Sequence, residues 1–386
     1  MLARFFGIGY FSDLAGIHGA RRLRDGRGAA MLWAMTRLAL TRRELALAGL
    51  VALAANRALA APQAVGFDVT PFVHPDLRAM VGPMRAQAGE DVTAQTLVQN
   101  RKRMMAFMGA PLAAPGWAQE VLPGRNGQPP VRVYAINAGQ KDKPRPAIVH
   151  MHGGGYVLGE AKISLRSMQE IAAALDCVVV TVDYRLAPET RFPGALEDNY
   201  TALKWVYDQA AILGVDRARI AVMGESAGGG HAAMLAIAAR DRGEVPLCYQ
   251  ALVYPMLDDR TGSVVHKPPY MGALVWNEAK NRFGWTSLLG QPAGSARVPP
   301  GSVPARVAQT ALGLKGLPPA FIGVGSIDLF VDEDVDYARR LVDAGVGCEL
   351  VVIPGGFHGF DNFRGLPVVD RYRAHFVAAL RQGLRL

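Results

Sequence analysis

Cysteine is scarce in this chain. Its 386 residues hold three, Cys177, Cys248 and Cys348, each in an apolar, strand-like run and none in a CxxC spacing. That excludes a disulfide framework and a thiolate metal site, and predicts buried free thiols. Long apolar runs are missing too. None reaches the roughly 18 residues of a membrane-spanning helix, which excludes a multi-pass membrane protein. Charged residues make up only 19% of the chain against 50% apolar, a balance that excludes disorder and allows a large buried core. Glycine and proline, at 43 and 25 residues, stay below the level of a low-complexity chain. There is no internal repeat. The net charge of +9 is also unevenly placed: residues 1–60 carry nine arginines and no lysine against Asp13, Asp25 and Glu44. The remainder is close to neutral and has no basic stripe interleaved with aromatics, so it does not read as a nucleic-acid-binding surface.

The basic segment has a plan of its own. Arg42-Arg43-Glu44 leads into an apolar stretch from Leu45 to Ala55, then Asn56-Arg57 and the small residues Ala58-Leu59-Ala60-Ala61. Charged start, short apolar core and small-x-small site are the parts of an export signal, and the adjacent arginines suggest the twin-arginine type. Residues 1–60 are therefore expected to be an N-terminal extension with cleavage near Ala61, and the protein to be exported, most simply to the periplasm. Translation from Met35 would give this signal an ordinary length. An amphipathic helix packed on the body, with a cytoplasmic protein, and a retained anchor are the other readings of the same residues.

From residue 66 the chain divides again. Residues 75–110 lack strand alternation and carry Leu77, Met80, Met84, Leu97, Met104, Met105, Phe107 and Met108 at helical spacing, a Met-rich face suited to adaptable packing. The region 66–125 is read as a helical lead-in and cap, closed by Pro111, Pro115, Pro123 and the Gly124–Gly127 turn. Beyond it, short β-branched runs at 131–137, 147–151, 178–183, 220–224, 249–254, 321–325 and 349–353 alternate with helical stretches near 164–175, 195–213, 227–241, 333–344 and 368–384. Nearly all-apolar strands alternating with helices predict a mostly parallel central sheet flanked by helices. Residues 256–318 break the rhythm. They are rich in proline and glycine, carry Trp276, Phe283 and Trp285, and are too long for a plain connection, so an insertion folded over one end of the sheet is expected.

Chemistry concentrates at the ends of the strands. Gly224-Glu225-Ser226-Ala227-Gly228 sits between the strand at 220–224 and the helix from Ala227, the setting that turns a G-x-S-x-G sequence into an exposed nucleophilic serine. The helix start adds partial positive charge and free N–H groups. His152-Gly153-Gly154-Gly155 follows another strand, and consecutive glycines can aim N–H groups at one point, as an oxyanion requires. A phosphate loop continues with Gly-Lys-Ser/Thr; here Tyr156-Val157-Leu158 follows. His152 itself reads as a residue that orders the loop. A serine alcohol needs a base, and the base an orienting acid. His18 lies in the extension, His74 in the lead-in, His266 in the insertion, His150 and His152 at the glycine loop, and His231 on the helix after Ser226. His358 lies in Gly355-Gly356-Phe357-His358-Gly359-Phe360 after the last strand, and Asp328 follows the strand at 321–325. The order Ser226, Asp328, His358 is that of an α/β-hydrolase. Asp332 and Asp334 crowd the same loop as Asp328, and Asp336 lies on the following helix, but Asp332 and Glu333 suit the helix start, where carboxylates offset the dipole.

Six segments then carry a family resemblance: HGGGYVLG at 152–159, DYRLAPE at 183–189, GESAGG at 224–229, YPMLDDR at 254–260, LPPAFIGVGSIDLFVDEDVDYARRL at 317–341 and FHGF at 357–360. Together they resemble bacterial esterases of the hormone-sensitive-lipase family, over residues 66–386. The resemblance implies an α/β-hydrolase fold with a helical cap, made of the lead-in and an insertion at about 256–310 of a catalytic domain at 126–386. It also implies hydrolysis of carboxylic esters of short to medium acyl length without metal or cofactor, with Gly154, Gly155 and Ala227 as the oxyanion-binding amides. One departure stands out: the family often has Asp-Pro-Leu at the acid, and this chain has Asp328-Leu329-Phe330.

Other marked residues read as structural: Glu189 as a loop anchor under the site, Asp258, Asp259 and Arg260 as a local ion-pair network, and Glu225 as a hydrogen-bonding partner of a neighbouring loop. The expected partner is a small ester, with no nucleic acid and no stable membrane insertion; a homo-oligomer is left open. Lactone or amide hydrolysis on the same residues, or ligand binding without catalysis, are the competing functions.

Overall fold

The computed structural model describes residues 67–87, 91–106 and 108–386. The extension and its expected export signal lie outside them. Eight strands form one sheet in the order β1-β2-β4-β3-β5-β6-β7-β8. They are β1 (Trp117–Leu122), β2 (Val131–Ile136), β3 (Arg145–Met151), β4 (Val178–Asp183), β5 (Val215–Glu225), β6 (Tyr249–Val253), β7 (Ala320–Gly325) and β8 (Cys348–Ile353). β2 runs antiparallel to β1 and β4, and every pairing from β4 to β8 is parallel.

The period of two along each strand feeds two cores. In β3, Val149 and Met151 face one and Ile148 the other; in β5, Val222 opposes Ala221 and Met223; in β7, Ile322 opposes Phe321. The helices of the body are α3 (Leu165–Leu175), α4 (Gly194–Asp208), α5 (Ala227–Arg242), α7 (Val331–Asp343) and α8 (Pro367–Gly383), following α1 (Arg78–Gln87) and α2 (Leu97–Met105) of the lead-in and joined by α6 (Glu278–Leu289) of the insertion. α4, α5 and α7 cover the first face, and α3 and α8 the second. Because the connections are crossovers, the C-terminal ends of β3, β5, β7 and β8 share one edge of the sheet. The loops that leave that edge carry His152, Ser226, Asp328 and His358.

Three expectations need correction. The sheet begins at Trp117, before the proline-rich break at Pro123. β1 is an edge strand with five of its six residues exposed, so it shows no alternation of buried and exposed residues by which to recognise it. The helix expected at 195–213 stops at Asp208 and resumes as a single turn, Ala210–Leu213. Cys348 is half-buried, unlike Cys177 and Cys248, though all three are free; burial pushes their thiols up to about 12, 11 and 12 in the order Cys177, Cys248, Cys348. Among the described residues no helix is long and apolar enough to cross a membrane.

Candidate active site

Ser226 stands at the turn between β5 and α5 with φ 57° and ψ −123°, a backbone conformation that L side chains rarely adopt. Its amide donates to Val253 O at 2.9 Å, and its carbonyl accepts from Met256 N at 3.0 Å, so the end of β6 and the segment just after it hold the strain in place. The flanking glycines are required by close approach. A methyl carbon on Gly224 would lie 2.2 Å from Gly228 O, and one on Gly228 2.0 Å from Met151 O.

The three residues drawn from distant loops meet here. His358 Nε2 lies 2.9 Å from Ser226 Oγ, and its Nδ1 lies 2.9 Å from Asp328 Oδ2. All three are buried, Asp328 completely. The other oxygen, Asp328 Oδ1, accepts from Phe330 N at 3.0 Å, closing an Asx-type turn. That turn gives Asp328-Leu329-Phe330 a local constraint without the proline of the related motif. Two rings wedge the imidazole: Phe330 edge-on at 5.2 Å between centroids and Tyr254 tilted at 4.7 Å. Tyr254 is itself held by its hydroxyl, which donates to Asp361 Oδ1 at 2.7 Å.

The glycine loop lies beside the serine. His152 is buried, stacks on Tyr184 at 4.3 Å, and bonds Gly153 O through Nδ1 at 2.8 Å. Burial pushes its imidazole down to about 4, so it is neutral near pH 7, and its partners are those of a residue that shapes the loop. Gly154 and Gly155 have φ 130° and 59°. Their amides, and that of Ala227 at the start of α5, donate to no acceptor among the described residues. Three unsatisfied donors beside a strained serine form a ready receptor for negative charge.

The remaining marked residues have other partners. Glu225 Oε2 pairs with His150 Nε2 at 2.9 Å, and His150 Nδ1 with Thr181 Oγ1 at 2.9 Å, so its partner is strand β3 instead of a loop. Asp258 pairs with Arg260 at 2.7 Å, but Asp259 takes Arg306 at 2.7 Å, a partner outside the expected local network. Asp332 pairs with Lys267. Glu333 accepts from Leu257 N at 2.7 Å and Asp258 N at 3.2 Å, which pins the start of the insertion. His375 on α8 bonds Glu349, far from Ser226 in the fold. Glu189 is gripped by Arg101 of α2. Arg101 does not stand out by local pattern. An open cleft of about 460 Å³ lies at that seam, lined by Arg101, Lys102, Met105, Gly159, Glu160 and Leu186. Among the described residues no cluster of three His, Cys, Asp or Glu side chains is arranged to hold a metal ion.

Comparison with known proteins bears on the fold and the activity. Residues 148–362 match the Abhydrolase_3 family, described as an alpha/beta hydrolase fold. Carboxylesterase NlhH of Mycobacterium tuberculosis is 36% identical over 266 residues, covering 66% of this chain and 78% of that protein. Ethyl acetate hydrolase of Pseudomonas putida is 32% identical over 262 residues, covering 66% and 79%. Among solved structures, a bacterial heroin esterase superposes with a TM-score of 0.74 at 34% identity, covering 83% of this chain and all of the other. The chain belongs to the α/β-hydrolase family, in the group resembling hormone-sensitive lipase, and is a carboxylic ester hydrolase.

Proposed function

We propose that Ser226 is the nucleophile of this hydrolase, His358 its base and Asp328 the orienting acid, with the amides of Gly154, Gly155 and Ala227 as the oxyanion donors. The observation that carries this is the unbroken line from Asp328 Oδ2 through His358 to Ser226 Oγ, 2.9 Å at each step. Ser226 Oγ attacks the ester carbonyl carbon while its proton passes to His358 Nε2. The bond to the alkoxy oxygen then breaks, and the alcohol leaves with the proton from Nε2. Water repeats the sequence on the acyl-enzyme, giving its proton to Nε2 and releasing the acid and free Ser226. Asp328 accepts from Nδ1 throughout, which fixes the tautomer that presents Nε2 to the serine. A fluorophosphonate should label Ser226 one to one, and Ser226→Ala should abolish both labelling and hydrolysis. A Ser226→Ala variant with parental turnover would refute the assignment.

The proposed substrates are esters of short to medium acyl chain, roughly C2–C8. Support comes from the bulky Trp276, which lies against Gly155, and from the short ester in the name of one relative. Faster turnover of emulsified long-chain triglyceride than of soluble butyrate esters would overturn it, and a parallel series of lactones and anilides tests the competing acyl chemistries. We also propose that residues 1–60 direct export through Arg42-Arg43; material from the native host should then begin near Ala61, and a cytoplasmic product starting at Met1 would exclude it.

A further inference from the structure

Gly155 is clamped by the insertion from two directions. A methyl carbon placed on it would lie 2.0 Å from Cη2 and 2.3 Å from Cζ2 of Trp276, so the indole rests directly on its Cα. On the carbonyl side, a methyl carbon on Gly284 of α6 would lie 2.5 Å from Gly155 O, so the helix backbone sits against that oxygen. The indole is fixed independently of the glycine loop. It is 6% exposed, and its Nε1 donates to Asn281 Oδ1 at 3.2 Å while Asn281 Nδ2 donates to Thr261 O at 2.8 Å. The chain strains to deliver it. Val275, just before it, has φ 65°, and Trp276 N donates to Leu274 O at 2.8 Å across it. That is the tight γ-type turn, rare and strained and most costly for a β-branched residue. Val275 is half exposed, so its own burial does not account for the turn; the residue the turn places is Trp276. Strained backbone of this kind persists where surrounding structure holds it, and it clusters at functional sites.

We propose that Trp276 is a positioning residue for ester hydrolysis: by seating its indole on Gly155 it keeps the glycine-loop amides aimed at the developing oxyanion. This rests on the assignment of Gly154 and Gly155 as oxyanion donors. The insertion therefore does more than cover the site, since it sets the orientation of the peptide that stabilises charge in the transition state. Such an effect acts on the transition state more than on the bound ester, so it belongs in kcat and not in KM.

The test compares Trp276→Leu and Trp276→Phe with the parent, using p-nitrophenyl acetate turnover and the affinity of an alkylboronic acid that forms a tetrahedral adduct on the serine. Trp276→Leu should lower kcat about ten- to hundredfold, less than the loss of a whole oxyanion donor. KM should stay within about threefold, and boronate affinity should fall in parallel with kcat. Trp276→Phe, whose shorter ring stops short of the Cη2 and Cζ2 positions that meet Gly155 and which lacks the bond to Asn281, should recover only part of the loss. Near-ultraviolet circular dichroism checks that each variant is folded. If Trp276→Leu does not fold, Gly284→Ala decides, because its methyl group must push the Gly155 peptide: parental kcat and boronate affinity there would overturn the proposal. So would a folded Trp276→Leu with kcat within twofold of the parent, or one whose KM alone changes. Failure of the underlying assignment looks different: the parent itself would bind the boronate no more tightly than the corresponding alcohol, or would resist fluorophosphonate.

Discussion

Arg101 on α2 and Glu189 on the loop after β4 form a two-pronged ion pair, Nη1 to Oε1 at 2.7 Å and Nη2 to Oε2 at 2.8 Å. The same guanidinium donates from Nε to Val157 O at 2.8 Å and from Nη2 to Ala187 O at 3.0 Å. One side chain thus ties the lead-in to the turn that follows the glycine loop and to the DYRLAPE segment. The hydrogen bonds from Arg101 hold the Glu189 carboxyl below its usual range. The Glu189 side chain is 60% exposed, so the charge attraction adds little stability. The planar fork supplies geometry, which a lysine ammonium cannot copy.

Arg101→Met should therefore cost about 2 kcal/mol of stability, mainly from two carbonyls left without a donor. Arg101→Lys should recover less than half of that, and Glu189→Gln, which keeps one of the fork's two acceptors and leaves the bonds from Arg101 to Val157 O and Ala187 O in place, should lose less than either. Urea unfolding of the three variants checks the order. Arg101→Lys equal to the parent would show that charge alone matters at this seam.

The acid assignment has a sharp contrast built in. Asp328 is fully buried on His358, whereas the side chain of Asp332 is 61% exposed and paired with Lys267. Asp328→Asn should stay folded and lose about 10⁴ in kcat, or roughly 5 kcal/mol of transition-state stabilisation, because the amide favours the wrong imidazole tautomer. Asp332→Asn removes a helix-start charge and the partner of Lys267, whose side chain is only 6% exposed, so it should cost about 1 kcal/mol or more of stability with little change in rate. Purified Asp328→Asn within tenfold of parental kcat would be incompatible with its proposed role.

What the sequence discloses here follows the range of each signal. Ser226 and the HGGG loop are legible because strand, turn and helix must be contiguous for a nucleophile elbow to form. His358 and Asp328 are legible because parallel strands deliver their following loops to one edge. Trp276 on Gly155 and Arg101 on Glu189 leave no such trace, since each joins residues about 90 to 120 positions apart with no periodicity between them. The partner of Asp259 is illegible for the same reason: the nearby Arg260 is taken by Asp258, and Arg306 lies 47 residues on. β1 leaves no mark in the sequence because exposure on both faces erases the pattern that would identify it.

Buried histidines predict an acid limb of stability. Both ring nitrogens of His231 are buried without a hydrogen-bond partner among the described residues, packed against Tyr156 and Tyr184. Burial, and then the neighbouring His152, push its imidazole down to about 3. A depressed folded pKa gives stability that is present above the unfolded value near 6.5 and is lost as pH falls toward the folded one. Between pH 6 and pH 4, His231→Leu should flatten the fall in unfolding free energy by about 1.4 kcal/mol per pH unit, the contribution of one proton. Urea unfolding at pH 6, 5 and 4 measures that slope; an unchanged slope would show that His231 is not kept neutral by the fold.

Asp334 predicts the opposite limb. It is fully buried on the first turn of α7, and neither carboxyl oxygen has a hydrogen-bond partner among the described residues. Burial pushes its carboxyl well above the usual range, with the charges of Glu333 and Asp328 adding to the shift. The helix start opposes this, but favours a carboxylate by only about 0.3–1 kcal/mol, against several kcal/mol for an uncompensated buried charge; burial wins. A raised folded pKa gives stability that is present below the unfolded value near 3.9 and is lost as pH rises through the folded one. At pH 8 the parent therefore carries either a buried charge or the work of keeping the group protonated, and Asp334→Asn carries neither. The variant should match the parent near pH 4 and exceed it at pH 8 by at least about 1 kcal/mol, the scale of a single pKa unit. Chemical unfolding at the two pH values measures the difference directly. A variant less stable than the parent at pH 8 would mean that Asp334 is ionised and paired, and that its negative charge supports the start of α7.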